Sequence, residues 1–147
     1  DLGMFIDGIV EKMFFSAKAK HQTLQYKKIN DVPYIISDAD KLEQVILNVV
    51  SNAVKYTPDG GRIDIYTGKG YKTVYIRVRD NGIGIPEENL PRIFERFYRV
   101  DKARSRETGG TGLGLAIAKQ IMDQLGGSIK ITSTYGKGTE VTVAIPA

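Results

Sequence analysis

Hydrophobic positions recur along this chain with two periods. Between residues 2 and 20, Leu2, Phe5, Ile6, Ile9, Val10 and Met13 fall at helical spacing, which predicts an amphipathic helix. A second helix is expected from near Ala39 to about Tyr56, where Thr57-Pro58-Asp59-Gly60-Gly61 stops it. A third spans about Leu113 to Leu125. Elsewhere the period is two. Ile63 and Ile65 share one face of a strand running from Arg62 to Thr67. In the next strand Val74, Ile76 and Val78 alternate with Tyr75, Arg77 and Arg79. Gly68-Lys69-Gly70 is the expected turn between them. Short strands are also expected at 23–29, 33–37, 128–133 and 139–145, and a short helical piece around 87–97. Helix, strands, helix, strands, helix, strands is the order of an α+β fold. It predicts a two-layer sandwich, with a mixed sheet of about five strands and three main helices on one face.

The 147 residues suffice for one domain, 1–147, with a core of its own. Cysteine is absent, which excludes a disulfide scaffold, a thiolate nucleophile and cysteine-based zinc sites. His21 is the single histidine, so a histidine metal cluster is excluded and a serine–histidine hydrolase is a poor fit. No uncharged run approaches the roughly 18 apolar residues of a membrane span. The apolar stretch between Asp1 and Asp7 is too short for a signal peptide, and a cytoplasmic location is expected. The net charge of +4 is mild and gives no reason to expect a nucleic-acid partner. It is unevenly spread: Arg92, Arg96, Arg99, Lys102, Arg104 and Arg106 stand against Glu95 and Asp101 alone.

Three glycine clusters interrupt the pattern: Asp80-Asn81-Gly82-Ile83-Gly84, Gly109-Gly110-Thr111-Gly112-Leu113-Gly114 and Gly136-Lys137-Gly138-Thr139. Neither the P-loop pattern nor the dinucleotide-binding Gly-x-Gly-x-x-Gly occurs. The second helix adds chemistry. At 100° per residue, Lys41, Gln44, Asn48, Ser51, Asn52 and Lys55 share one arc, and Leu42, Val45, Ile46, Val49, Val50 and Ala53 fill the opposite one. Amide oxygens suit a hard cation such as magnesium, and lysine suits phosphate. A merely solvated face would carry better helix formers than asparagine.

Together these segments resemble the sequence boxes of sensor histidine kinases. Asn48-Val49-Val50-Ser51-Asn52-Ala53-Val54-Lys55-Tyr56 is similar to their N box, and Asp80-Asn81-Gly82-Ile83-Gly84-Ile85 to the first glycine box. Phe94-Glu95-Arg96-Phe97-Tyr98-Arg99 resembles the F box, Gly110-Thr111-Gly112-Leu113-Gly114-Leu115 the second glycine box, and Gly136-Lys137-Gly138-Thr139 the last. Order and spacing agree over nearly the whole chain. The resemblance implies the Bergerat ATP-binding fold shared with heat-shock chaperone, gyrase and mismatch-repair ATPases, and ATP with Mg2+ as cofactors.

The resemblance also implies roles. Asn52 would be the magnesium ligand, with Asn48 beside it, Lys55 facing the phosphates and Tyr56 lying against the nucleotide. Asp80 would accept from the adenine amino group, with Thr139 assisting through a water. Gly82, Gly84 and Ile85 would line the ring, glycine letting backbone come close. The segment 86–111 becomes an ATP lid in which Arg96 or Arg99 meets the triphosphate and Phe94 and Phe97 anchor to the core. Gly110, Thr111, Gly112, Leu113 and Gly114 would hold phosphate at a helix start. Asn48 stands where the related ATPases have a glutamate base, which favours phosphoryl transfer over hydrolysis. The implied partners are the dimerising histidine domain of the same kinase and a response regulator. His21 lacks the acidic residue and proline that follow an acceptor histidine, so it is read as a surface residue. The phosphoacceptor domain is therefore expected to lie outside this chain, which by itself would be a monomeric catalytic piece of a membrane-anchored sensor. Two rivals are a serine kinase of the same fold and a nucleotide-binding module without catalytic output.

Overall fold

The computed structural model describes residues 1–27, 34–95 and 114–146. Three helices, α1 (Leu2–Ala19), α2 (Ala39–Tyr56) and α3 (Gly114–Gln124), pack on one five-stranded sheet. The strands are β1 (Thr23–Lys27), β2 (Arg62–Gly70), β3 (Thr73–Asp80), β4 (Ser128–Thr134) and β5 (Gly138–Pro146). They lie in the order β1-β2-β3-β5-β4. The β1–β2 pair is parallel and the other three are antiparallel, so the sheet is mixed, as the element order predicts.

Alternation decides which face meets the helices. Ile63 and Ile65 of β2, Val74, Ile76 and Val78 of β3, and Val141, Val143 and Ile145 of β5 are buried. They close on Ile6 and Ile9 of α1, Val45, Ile46, Val49 and Val50 of α2, and Ala118 and Met122 of α3. Burying each such aliphatic side chain contributes about 1.5–3 kcal/mol before entropy is charged against it. The opposite face carries charge. There Arg62 and Lys27 pair with Asp64, and Arg77 and Arg79 pair with Glu140.

The helices end as their sequences dictate. Asp38 caps α2 by accepting from the Lys41 N–H at 3.1 Å. Helix α1 stops where His21 takes φ 52° and its N–H donates to the Lys18 carbonyl, while the Gln22 N–H reaches Ala17. His21 is exposed and serves there as a helix terminator, in keeping with a surface role. The far end of α2 is held from outside. Gln22 Nε2 donates to the carbonyls of Val54 at 3.0 Å and Thr57 at 2.7 Å. Lys20 Nζ donates to those of Val54 and Lys55. Four bonds thus satisfy carbonyls that a helix end otherwise leaves open, and they fix the end of α2 that reaches the first glycine box.

Two expectations need correction. Residues 34–37 of the expected strand at 33–37 form no strand; Pro33 lies outside the described residues. Among the described residues β1 lies at the sheet edge and pairs only with β2, and Tyr34 and Ile36 point to solvent. The turn of the β2–β3 hairpin is Tyr71-Lys72, with Lys72 at φ 53°, and Gly68 and Gly70 sit inside β2. Gly68 pairs with Tyr75, whose ring fills the space a side chain would need. Hydrogen bonding and ring packing outweighed the glycine signal. The helical piece near 87–97 is a 3₁₀ helix over Glu87–Arg92. Residues 28 and 29 of the first expected strand lie outside the described residues.

Candidate functional site

The end of β3 delivers one carboxylate into a frame of backbone N–H groups. Asp80 Oδ1 accepts from Gly82 N–H at 2.9 Å and from Thr139 N–H at 3.3 Å. Thr139 is there because β3 and β5 pair Asp80 with Thr139. Burial pushes the Asp80 carboxyl above the ordinary aspartate range, and the two N–H donors work against that. With Oδ1 committed, Oδ2 is the acceptor left for a ligand.

Around it the glycine boxes close on the protein's own backbone. A Cβ on Gly82 would stand 2.5 Å from the Tyr56 carbonyl oxygen and 2.9 Å from Asp80 Oδ1. Gly84, at φ 74°, would drive one to 2.2 Å from the Thr134 carbonyl. Tyr56, the last residue of α2, also accepts from the Ile83 N–H at 3.2 Å. The glycines therefore allow β3, α2 and the β4–β5 turn to meet. Space for a ring, the expectation from sequence, is a different use of the same missing atom.

A second cluster lies where α2 meets the start of α3. Asn48 Nδ2 donates to the Gly114 carbonyl at 3.3 Å. A Cβ on Gly114 would lie 4.0 Å from both the Asn48 side chain and Asn52 Oδ1. Both asparagines and Lys55 are half-buried, as is Tyr56 at the helix end. The stripe expected on α2 thus faces α3, and Tyr56 joins it to the Asp80 cluster. Phe94 packs against the core, as the anchor reading expects. Arg96, Phe97, Arg99, Gly110, Thr111, Gly112 and Leu113 lie outside the described residues, as does most of the segment 86–111.

Sequence reasoning gave no role to three residues that build this site. Ser133 Oγ meets Ile85 N–H at 2.8 Å, the Gly138 carbonyl at 2.9 Å and Thr139 Oγ1 at 2.9 Å. Asn81 accepts from the Arg62 N–H through Oδ1 at 2.7 Å, tying the first glycine box to the start of β2. Gln22 supports the end of α2. Ser133 had one readable signal, its place opposite Thr139 across the β4–β5 hairpin; Gln22 had none.

A half-buried strand-end carboxylate, a helix with two asparagines, and glycines that let the chain close between them make up the candidate site. The chain belongs to the family described as histidine kinase-, DNA gyrase B- and HSP90-like ATPases, whose pattern matches residues 37–147. It is 50% identical over 115 residues to the sensor histidine kinase WalK of Bacillus subtilis (strain 168), covering 77% of this chain and 19% of WalK. Full-length ShkA in complex with AMPPNP has the same fold, with a TM-score of 0.87, 29% identity, and 99% of this chain and 30% of that one covered. Histidine kinase ThkA in complex with the response regulator TrrA gives a TM-score of 0.82 and 25% identity, covering 99% of this chain and 40% of that one. The chain therefore spans about a fifth of the WalK length.

Proposed function

We propose that this chain binds Mg-ATP and donates the γ-phosphoryl group to a histidine on the dimerising domain of a two-component sensor kinase, for relay to a response regulator. The observation that carries this reading is the α2 stripe, which sets Asn48 and Asn52 against the first residue of α3. Backbone N–H groups at a helix start, with the positive end of the dipole, attract phosphate, and Lys55 adds a full charge one turn along α2. Asn48 holds the Gly114 carbonyl with its amide nitrogen, and an amide takes no proton from water. A neutral imidazole needs no such help, because its ring nitrogen is already nucleophilic. Transfer to histidine is therefore favoured over hydrolysis.

Asp80 Oδ2 and Thr139 supply the base end, where a carboxylate accepts from the adenine amino group and repels the carbonyl of guanine. Tyr56 would lie against the nucleotide, and Gly82, Gly84 and Ile85 beside it. Asn52 fits magnesium: its oxygen is hard, half-buried and turned toward the start of α3. The ion, bound there, would neutralise phosphate charge. Asn52→Ala should lose the gain in ATP affinity that magnesium gives, with metal-free affinity unchanged; titration calorimetry with and without magnesium checks it. Arg96 or Arg99 would neutralise the triphosphate from the segment 86–111, and Gly110, Thr111, Gly112 and Leu113 would complete the phosphate cradle.

Among the described residues no helix is long and apolar enough to cross a membrane. The chain acts in this reading as a monomeric catalytic unit on the cytoplasmic side of a membrane-anchored sensor. Labelled ATP tests it. Fragment alone should gain no label, because His21 terminates a helix and lacks an acceptor's context. Fragment with a supplied hairpin domain should place acid-labile label on the hairpin, weakly, since the reaction is then bimolecular. A hairpin with its histidine changed to alanine should stay unlabelled. Acid-stable label on the fragment alone would instead indicate a serine or threonine kinase.

A further inference from the structure

The hydroxyl of Ser133 has one hydrogen and three neighbours. The Ile85 N–H at 2.8 Å can only donate to it, and the Gly138 carbonyl at 2.9 Å can only accept from it. Its hydrogen is thereby spent on Gly138. The third contact, Thr139 Oγ1 at 2.9 Å, is then donated by Thr139. Thr139 is left with lone pairs alone, and it is the residue whose backbone N–H holds Asp80 Oδ1. Asp80 Oδ2 is likewise an acceptor while ionised. Both polar groups at this end of the site accept, and neither donates.

Resting on the nucleotide reading above, we propose that Ser133 is a positioning residue for base selection: by taking the Thr139 proton it keeps this end of the site acceptor-only. Such an end matches an exocyclic amino group, whose hydrogens can be shared between Asp80 and Thr139, directly or through a water. It mismatches a carbonyl, which would face oxygen lone pairs with no hydrogen between them. Without the Ser133 hydroxyl, the Thr139 O–H is free to rotate and donate to a carbonyl. The same serine ties Ile85 to the β4–β5 hairpin, so affinity alone would not separate selection from support.

The base ratio separates them. ATP and inosine triphosphate, which has a carbonyl where adenine has its amino group, are titrated calorimetrically against wild type, Ser133→Ala, Ser133→Thr and Thr139→Val. Wild type should prefer ATP strongly. Ser133→Ala should narrow the ATP-to-inosine-triphosphate ratio about tenfold, the size of one hydrogen bond; Ser133→Thr, which keeps the hydroxyl, should restore it. In a Thr139→Val background, Ser133→Ala should leave the ratio unchanged, since the two act as a pair. Equal weakening of both nucleotides in Ser133→Ala would overturn the selection role and leave Ser133 a structural tie. Should Ser133→Ala fail to fold, Thr139→Val alone must still narrow the ratio, and an unaltered ratio there overturns the proposal. Failure of wild type to bind ATP would refute the nucleotide reading itself.

Discussion

Asp80→Asn should bind ATP roughly 10- to 100-fold more weakly than wild type and fold as well as wild type or better. The weakening reflects a lost hydrogen bond to a charged acceptor, about 1.5–3 kcal/mol, and an amide that can turn its N–H toward the adenine amino group. The fold survives because an asparagine Oδ1 can accept from the Gly82 and Thr139 N–H groups as the carboxylate does. Stability should move the other way from function. Burial raises the Asp80 carboxyl above its reference of 3.8 in the folded chain, so at a pH between the unfolded and folded values the folded state holds a proton that the unfolded state has released. The stability this adds is fully present below the unfolded value and is lost as pH rises through the raised folded value. Thermal unfolding of the nucleotide-free wild type should therefore show a gain on acidification through that window, absent from Asp80→Asn. ATP affinity of the wild type should fall over the same window, because a protonated carboxyl offers a donor where an acceptor is needed. Calorimetric titration at neutral pH and melting curves over a pH series check both halves.

Gly138→Ala should be the most damaging single change in the last glycine box, and Gly136→Ala among the mildest. Gly138 has φ 144°, and a Cβ there would lie 2.1 Å from the Asp80 carbonyl oxygen and 3.0 Å from the Asn81 Cα. Backbone cannot give way as the tip of a flexible side chain can, so strain and overpacking together should cost about 3 kcal/mol or more. For a chain of this size that lowers the melting temperature by about 6–12 °C. Nucleotide binding should fall with it, since the displaced strand end carries Asp80. Gly136 also has positive φ, 86°, but nothing lies within 4 Å of its Cβ position. Only the backbone term remains there, about 1–2 kcal/mol. Melting both variants with and without ATP tests the contrast; equal loss in the two would mean that the approach of β5 to Asp80 is not what Gly138 serves.

That contrast marks where reading the chain stopped being enough. Helix α2 was legible from Ala39 to Tyr56 because its apolar arc repeats without interruption and a glycine-rich stop follows. The inward faces of β2 and β3 were legible from alternation, and the mixed sheet followed from the order of elements. Asn48 and Asn52 stood out because asparagine is a poor helix former, and Asp80 because it opens the segment that resembles the first glycine box.

The hairpin turn was misplaced because Tyr71-Lys72 holds no turn residue, while Gly68 had a packing reason to be glycine that only its partner Tyr75 reveals. The strand expected at 33–37 holds the β-forming residues Tyr34, Ile35 and Ile36, yet a strand needs a neighbour to bond to, and the described sheet offers residues 34–37 none. Gln22 and Asn81 were invisible for the same cause, since their partners lie 32 to 35 and 19 residues away in sequence, and Ser133 showed only its hairpin place opposite Thr139, not its bond to Ile85, 48 residues away. Local periodicity and composition determined the elements, the buried faces and the polar residues set apart for chemistry. Which backbone groups those residues hold was decided by tertiary structure, because a hydrogen bond is fixed by distance and direction in space and leaves no period in the chain.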